Sequence, residues 1–377
     1  MNVVSKRKII NITLDMLSIC AALTAWFCVF LRLKSVKSPK DEFNILALKS
    51  IFPRQKSYSV YPLKLNLFNN SEDNKNVVQN NSANDHEEFW RAEKSDMELP
   101  EFDNSGIQDE ERGEGPIHKI VESQIGAGGI RCGDFYVKNS TGENINFEAE
   151  VNQMPEINIR NTDEPQVLVF HTHTSESYMS RDEGFFYDNF YPRSLDSSKN
   201  VTRVGQAVVD KLKEHGINAI HDETYHDNPT YNGSYSRSAE TIKKNLSAYP
   251  SIQVVIDIHR DSLGSNETGK IKPTFKYNDK KAAQMMIISG CDSDGSLGFP
   301  NWRKNLKLAL RLQKYCENMF PGITRPLNFA KVKYNEHLTP GSLLVEVGSD
   351  ANTLEEAVYT GSMLGESLAK MLTDLKK

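Results

Sequence analysis

The chain has 377 residues, 38% hydrophobic and 25% charged, with a formal net charge of −5. That content supports one large core or two ordinary ones. The mildly acidic balance, with basic residues scattered rather than gathered into a patch, argues against nucleic acid as a partner.

Lys6-Arg7-Lys8 precede residues 9–33, IINITLDMLSICAALTAWFCVFLRL. About 25 mostly apolar residues, rising about 1.5 Å each, span a hydrocarbon core of about 30 Å. Asp15 lies near one end, within reach of the membrane interface. The run is long for a signal peptide and no small-x-small cleavage site follows it, so an uncleaved anchor is expected. Arg32, Lys34 and Lys37 on the far side leave the positive-inside count nearly even. Residues 1–35 are read as a cytoplasmic tip and transmembrane anchor. Cys20 and Cys28 fall inside that segment, and the scattered Cys132, Cys291 and Cys316 make neither a disulfide framework nor a CxxC metal site.

Residues 36–130 are expected to be a largely disordered acidic linker, because 69–118 are polar, acidic and poor in β-branched runs. Residues 35–68 are more apolar and carry no clear element. The pattern turns globular from about Gly133, so 131–377 is read as the catalytic domain. FYVKN (135–139) and INFEAEVNQ (145–153) read as short strands, and QVLVF (166–170) as a strand buried on both faces. Residues 200–216 place Val201, Val204, Val208 or Val209 and Leu212 at helical spacing, with Gly216 as the stop. INAIHDE (217–223) follows as a strand, 234–250 as a helix, and QVVIDIH (253–259) as a second fully apolar strand. MMIISG (285–290), a helix over 302–321, SLLVEVG (342–348) and a final helix from Thr353 complete the order. Trp302 and Asn305 read as packing and capping residues. This alternation predicts an α/β fold, a mostly parallel sheet flanked by helices.

Active groups in such sheets gather at the carboxyl ends of the strands. Three apolar strands end here in residues that a zinc (Zn2+) site uses. The first runs into His171-Thr172-His173-Thr174-Ser175-Glu176, the second into His259-Arg260-Asp261, and the third holds Glu346. His173 and Glu176, spaced H-x-x-E, turn toward one point from a tight loop, and His259 closes a His₂Glu set. Glu346 is then the candidate catalytic base, taking a proton from water and passing it to a leaving amine. A carboxylate amid the apolar LLVEVG run costs several kcal/mol unless something pairs with it, and a cation is one such partner. Arg260 either pairs with a substrate carboxylate or salt-bridges Asp257 or Asp261. His221 and His226 fit a polar connecting loop best, while Tyr334, Asn335 and His337 would shape a pocket mouth.

HTHTSESY, VVIDIHRDS, NWRKNLKLALRLQ, KYNEHLTPGSLLVEVGSDANTLEEA and the single N-terminal anchor together resemble the stage II sporulation protein P family. The resemblance covers roughly 130–377. It implies a membrane-anchored, zinc-dependent N-acetylmuramoyl-L-alanine amidase of phosphorylase/hydrolase-like fold, with endopeptidase action on peptide cross-links. It implies peptidoglycan as substrate, an extracytoplasmic catalytic domain in the septal space, and a part in septal thinning and engulfment. A lytic transglycosylase (stage II sporulation protein D) and a membrane scaffold (stage II sporulation protein M) are the implied partners. The wider amidase family corresponds at one histidine of HTH, at His259 and at Glu346. It takes its middle glutamate from the start of the next helix, which here, near Asn200, offers none. Glu176 is the substitute, and His171 stays open as a metal ligand in place of the favoured His173. Two other readings remain: a zinc carboxypeptidase of cell-wall peptides, and a non-catalytic wall-binding module on a membrane tether.

Overall fold

The computed structural model describes residues 93–99, 101–102 and 113–376. All lie within one unit, Asn80–Lys377. The expected anchor and most of the expected linker fall outside the described residues. Among the described residues no helix is long and apolar enough to cross a membrane.

In chain order the elements are β1 (Ile117–Ser123), β2 (Ile130–Cys132), β3 (Phe135–Asn139), α1 (Phe147–Val151), β4 (Val167–Phe170), β5 (Phe185–Tyr187), α2 (Val201–Glu214) and β6 (Ala219–Asp222). Then follow α3 (Ser234–Ala248), β7 (Val254–Asp261), β8 (Gly264–Ser265), β9 (Gly269–Tyr277), β10 (Lys280–Ala283) and β11 (Met285–Gly290). The chain ends with α4 (Trp302–Met319), β12 (Leu327–Ala330), a 3₁₀ turn (Glu336–Leu338), β13 (Ser342–Ser349) and α5 (Leu354–Asp374).

The main sheet runs β2-β3-β12-β11-β13-β7-β4-β6. It is mixed rather than simply parallel, because β2–β3 and β11–β13 pair antiparallel while the remaining neighbours pair parallel. A second sheet, β10-β9-β1-β5 with β8 on β9, had no counterpart in the expected pattern. Its strands read GKIKPTFKY, KKAA and IHKIVES, in which lysine, glycine and proline break the apolar runs. β1 corrects the linker boundary, since residues 117–123 pair with both β5 and β9 instead of forming a tether.

The three continuous apolar strands form the centre. Val167, Leu168 and Val169 of β4, Val254, Val255, Ile256 and Ile258 of β7, and Val345 and Val347 of β13 are all fully buried. Each such side chain contributes about 1.5–3 kcal/mol by leaving water. Residues 145–153 are a second correction, because 147–151 form helix α1 and not a strand. The Asn146 side chain caps it by accepting from Ala149 N at 3.0 Å, and Phe147, Glu150 and Val151 form its buried face. Asn305 is buried but caps nothing. Its side-chain amide donates to Glu336 O, Thr339 O and Ser342 O at 2.8–3.0 Å, which braces the approach to β13.

Helix α2 starts at Asn200, whose side chain accepts from Thr202 N at 3.0 Å, and it lies close against the strand ends. At Gly205 an added Cβ would come to 2.5 Å from His221 Nε2 and 2.7 Å from His171 Nε2. Gly205→Ala gains up to about 1 kcal/mol of helix propensity. It must also push apart two ring atoms in a packed interior, at about 1–3 kcal/mol. The overlap wins on these magnitudes. The variant is expected to unfold at lower urea concentration than wild type, and equal or higher stability would show the helix to be free to shift.

Candidate active site

The register of the central strands sets the site. On the parallel β13–β7 pair Glu346 lies opposite His259, and on the parallel β4–β7 pair Phe170 lies opposite Asp257. Asp257 and His259 are two apart on one strand and so project from the same face. The chain leaving β4 is tied back to β7, because Asp257 accepts from Thr172 N at 2.8 Å and from Thr172 Oγ1 at 2.6 Å. Glu176 N donates to His173 O at 3.0 Å, closing the turn between them. The Glu176 carbonyl accepts from Val201 N at 2.9 Å, so Glu176 sits at the mouth of α2 although it comes from the loop.

His173, Glu176, His259 and Glu346 are thereby brought to one end of the sheet. Glu176 Oε2 lies 3.5 Å from His259 Nδ1 and accepts from Arg260 N at 3.2 Å. The His173 and His259 rings meet edge to face with centroids 5.2 Å apart. His259 Nε2 sits 2.9 Å from Asp257 Oδ1, an ion-pair contact without hydrogen-bond alignment. Burial opposes charge on His259, but Asp257 and Glu176 together hold its pKa well above the ordinary value. Burial likewise opposes charge on Glu176, yet His259 and Arg260 hold its carboxyl down to about 2. The result is a cation between two buried carboxylates.

Three buried polar atoms here lack a hydrogen-bond partner: His259 Nε2, which has its ion-pair contact to Asp257, and His173 Nδ1 and Glu346 Oε2. Burial, then the neighbouring His259 charge, pull His173 down to about 4, so it is a neutral lone-pair donor. Glu346 keeps part of its surface open while Oε2 is out of solvent. Burial, then the Asp261 charge, push its carboxyl up to about 8.

His171 is differently placed. Its Nδ1 donates to Ile258 O at 3.0 Å, which leaves Nε2 to accept from His221 Nε2 at 2.9 Å. Both ring nitrogens are engaged, so the histidine of HTH that offers an unpaired nitrogen is His173. His221 is a residue of strand β6 rather than of a loop. His226 is buried and holds the site loop, donating from Nδ1 to His171 O at 2.7 Å. Arg260 does not fit the expected substrate role. It is buried, and its guanidinium donates to Ser177 O at 2.9 Å, Pro192 O at 2.6 Å and Asp261 O at 3.3 Å. Neither expected carboxylate salt bridge forms.

Several neighbours went unread in the sequence. Tyr231 stacks on His173 with centroids 4.3 Å apart, and Tyr235 lies parallel to His259 at 6.4 Å. Tyr334 stacks on Tyr235 at 5.3 Å, so one of the expected mouth residues does reach the site wall. Arg193 Nη2 lies 3.6 Å from Glu176 Oε1, and Nη1 lies 2.8 Å from Asp227 Oδ2. A cavity of about 300 Å³ opens beside this pair. A larger one of about 610 Å³, lined by Asp182, Lys281, Glu355 and Tyr359, contains none of the site residues.

Among the described residues no three or more His, Cys, Asp or Glu side chains are grouped closely enough to hold a metal ion as they stand. The donor set nevertheless suits a divalent ion. His173 Nδ1 is buried and unpaired, and the buried Glu176 and Asp257 carboxylates demand a positive charge that the His259 proton supplies. His259 Nδ1 faces Glu176 while its other nitrogen meets Asp257, the carboxylate–histidine pairing that orients metal ligands. His173, Glu176 and His259 are the residues that would hold an ion, with Asp257 behind them.

This arrangement defines an α/β chain with buried histidines and carboxylates gathered at the carboxyl edge of a mixed sheet. The sequence profile described as Stage II sporulation protein P matches residues 50–369, and the chain belongs to the stage II sporulation protein P family. It is 29% identical over 227 residues to the stage II sporulation protein P of Bacillus subtilis, covering 57% of this chain. The match takes in 53% of that relative, about half its length. Among solved structures, the CwlD amidase of Clostridioides difficile in complex with the GerS lipoprotein aligns at 12% identity with a TM-score of 0.32. That alignment covers 55% of this chain and 98% of the other. The apo N-acetylmuramyl-L-alanine amidase Ami1 of Mycobacterium abscessus aligns at 12% identity and 0.31, covering 55% and 99%. At these scores nothing about activity follows from the likeness.

The raised Glu346 carboxyl has a thermodynamic consequence. An acid whose folded pKa exceeds its unfolded value, here about 8 against about 4.3, destabilises the fold progressively as pH rises between the two. In chelator-treated protein Glu346→Gln removes that penalty. Its stability relative to wild type is expected to grow from pH 4 to 8 in urea titrations, and a margin independent of pH would contradict the buried-acid assignment.

Proposed function

We propose that this chain is a zinc-dependent peptidoglycan hydrolase that cleaves the amide between N-acetylmuramic acid and L-alanine. The observation that carries the reading is the unpaired, partly buried Glu346 carboxyl, in register with His259, which itself lies 3.5 Å from Glu176 and meets the His173 ring edge to face. Family membership supports the choice of substrate. A zinc ion bound by His173, Glu176 and His259 would supply Lewis-acid polarisation of the amide carbonyl and a lowered pKa for water.

The chain's own groups do the rest. Asp257 holds the His259 ring so that Nδ1 looks toward Glu176. Glu346, whose carboxyl stands at about 8 without a metal and would fall toward neutrality beside a bound cation, then suits both directions of proton transfer. It takes the proton from the attacking water and returns it to the departing alanine nitrogen. Tyr235, backed by Tyr334, walls His259 on one side, and Tyr231 stacks on His173 from the edge of the open cavity. Because the substrate lies outside the cytoplasmic membrane, the site is taken to work there, with residues 9–33 as its tether.

Glu346→Gln is expected to keep its zinc and lose about 10²- to 10⁴-fold in cleavage, while His259→Ala loses the metal as well. Mass spectrometry of digested sacculi reads the products. New alanine N-termini with peptide-free muramic acid are expected, whereas release of single amino acids would make the protein a carboxypeptidase. Full cleavage by Glu346→Gln would end the assignment of Glu346 as the base.

A further inference from the structure

Beside the site, residues 190–195 run as an extended rim held to the catalytic loop. Ser177 N donates to Pro192 O at 3.1 Å and Ser194 N to Ser175 O at 2.7 Å, with Glu176 bridged to Arg193. This rim and the residues after Asp227 enclose the cavity of about 300 Å³. That volume lies at the lower end of ligand pockets, enough for one ring and not for a long peptide.

Two features of the lining select a ligand class. Of the four most exposed large apolar side chains among the described residues, three belong to this cavity: Tyr191 at 73%, Leu195 at 60% and Tyr231 at 55%. Aromatic faces at an open pocket, with polar groups between them, suit a ligand that has both apolar faces and hydroxyl edges. The second feature is charge. Arg193 is the cation of the lining, and it is already matched by Asp227 at 2.8 Å and Glu176 at 3.6 Å while its guanidinium lies 4.9 Å over the Tyr231 ring. Asp227 is in turn occupied by Ser175 N and Oγ. An anionic ligand would meet two carboxylates around one cation and be repelled. A stem peptide carries free carboxylates. The sugar does not, because the lactyl carboxyl of an amide-linked muramic acid is consumed in the bond.

We propose that the cavity lined by Tyr191, Arg193, Leu195, Asp227, Asn228 and Tyr231 is a glycan subsite, taking a neutral N-acetylhexosamine ring of the strand that bears the scissile amide. This rests on the peptidoglycan reading above. It orients the substrate, with the sugar strand on the Tyr191 side and the peptide leaving across the sheet edge past Glu346.

The test uses the full chain and two probes that contain no scissile amide: a β-1,4-linked N-acetylglucosamine tetramer and a free stem peptide, each titrated by calorimetry. Tyr191 and Leu195 are exposed, so truncating them leaves the core intact. The tetramer is expected to bind wild type, to bind Tyr191→Ala and Leu195→Ala at least tenfold more weakly, and to bind Tyr191→Phe nearly as well, since the ring face and not the hydroxyl makes the contact. Absence of tetramer binding to wild type, unchanged affinity in both alanine variants, or loss of peptide rather than tetramer affinity would each overturn the subsite. Tetramer binding lost in Tyr191→Ala, combined with sacculi that yield no muramic acid–alanine cleavage, would keep the subsite and remove the amidase reading instead.

Discussion

A positive charge held between two buried carboxylates organises the functional end of this molecule. Asp257 and Glu176 flank His259, and neither carboxylate has water enough to stand alone. Removing a unit of positive charge from between them would leave buried anions whose desolvation costs several kcal/mol each. The proton on His259 answers that demand, and so would a divalent ion. The same constraint explains why the neighbouring histidines stay neutral. His173 is pushed down to about 4 by burial and then by the His259 charge, and His171 to about 3 by burial and then by the neighbouring His221 ring. One protonated imidazole is enough, and a second would repel it.

This electrostatic arrangement depends on strand register. Glu346 meets His259 only because β13 and β7 run parallel and in step, and a slip of one residue would turn Glu346 into the opposite layer. Asn305 contributes from a distance. Its three bonds to the chain between Glu336 and Ser342 fix where β13 begins, and therefore where Glu346 comes to lie.

The parts of the fold legible in the sequence are those whose burial is one-sided or complete. β4, β7 and β13 are continuous apolar runs, and α2 carries a regular apolar stripe, so their type and order could be read directly. The second sheet could not, because β9 buries Lys272, whose charge is met by Asp182 and Glu356 at 2.8 Å from distant parts of the chain. No local pattern announces a lysine that will be neutralised in three dimensions. Helix α1 was misread for a related reason. Its single turn depends on the Asn146 cap and buries Phe147 and Val151, a pattern too short to separate 3.6 from 2.0 periodicity. At the site, residues leaving apolar strands stood out, and H-x-x-E spacing pointed to Glu176. Arg193 and Tyr231 did not stand out, since their positions come from loop closure. Arg260 misled because adjacency to a candidate ligand along a strand points a side chain to the opposite face, where it became a brace for three carbonyls.

Arg193 joins the two halves of the cleft. One guanidinium reaches the Glu176 carboxylate, the Asp227 carboxylate and the Tyr231 ring, and that ring lies on His173. A ligand packed against Tyr231 would restrict the tyrosine and the guanidinium together, and both bear on residues that would hold the ion. The 3.6 Å separation between Arg193 and Glu176 is too long for a hydrogen bond, and with 22% of the Arg193 side chain exposed, solvent weakens the attraction.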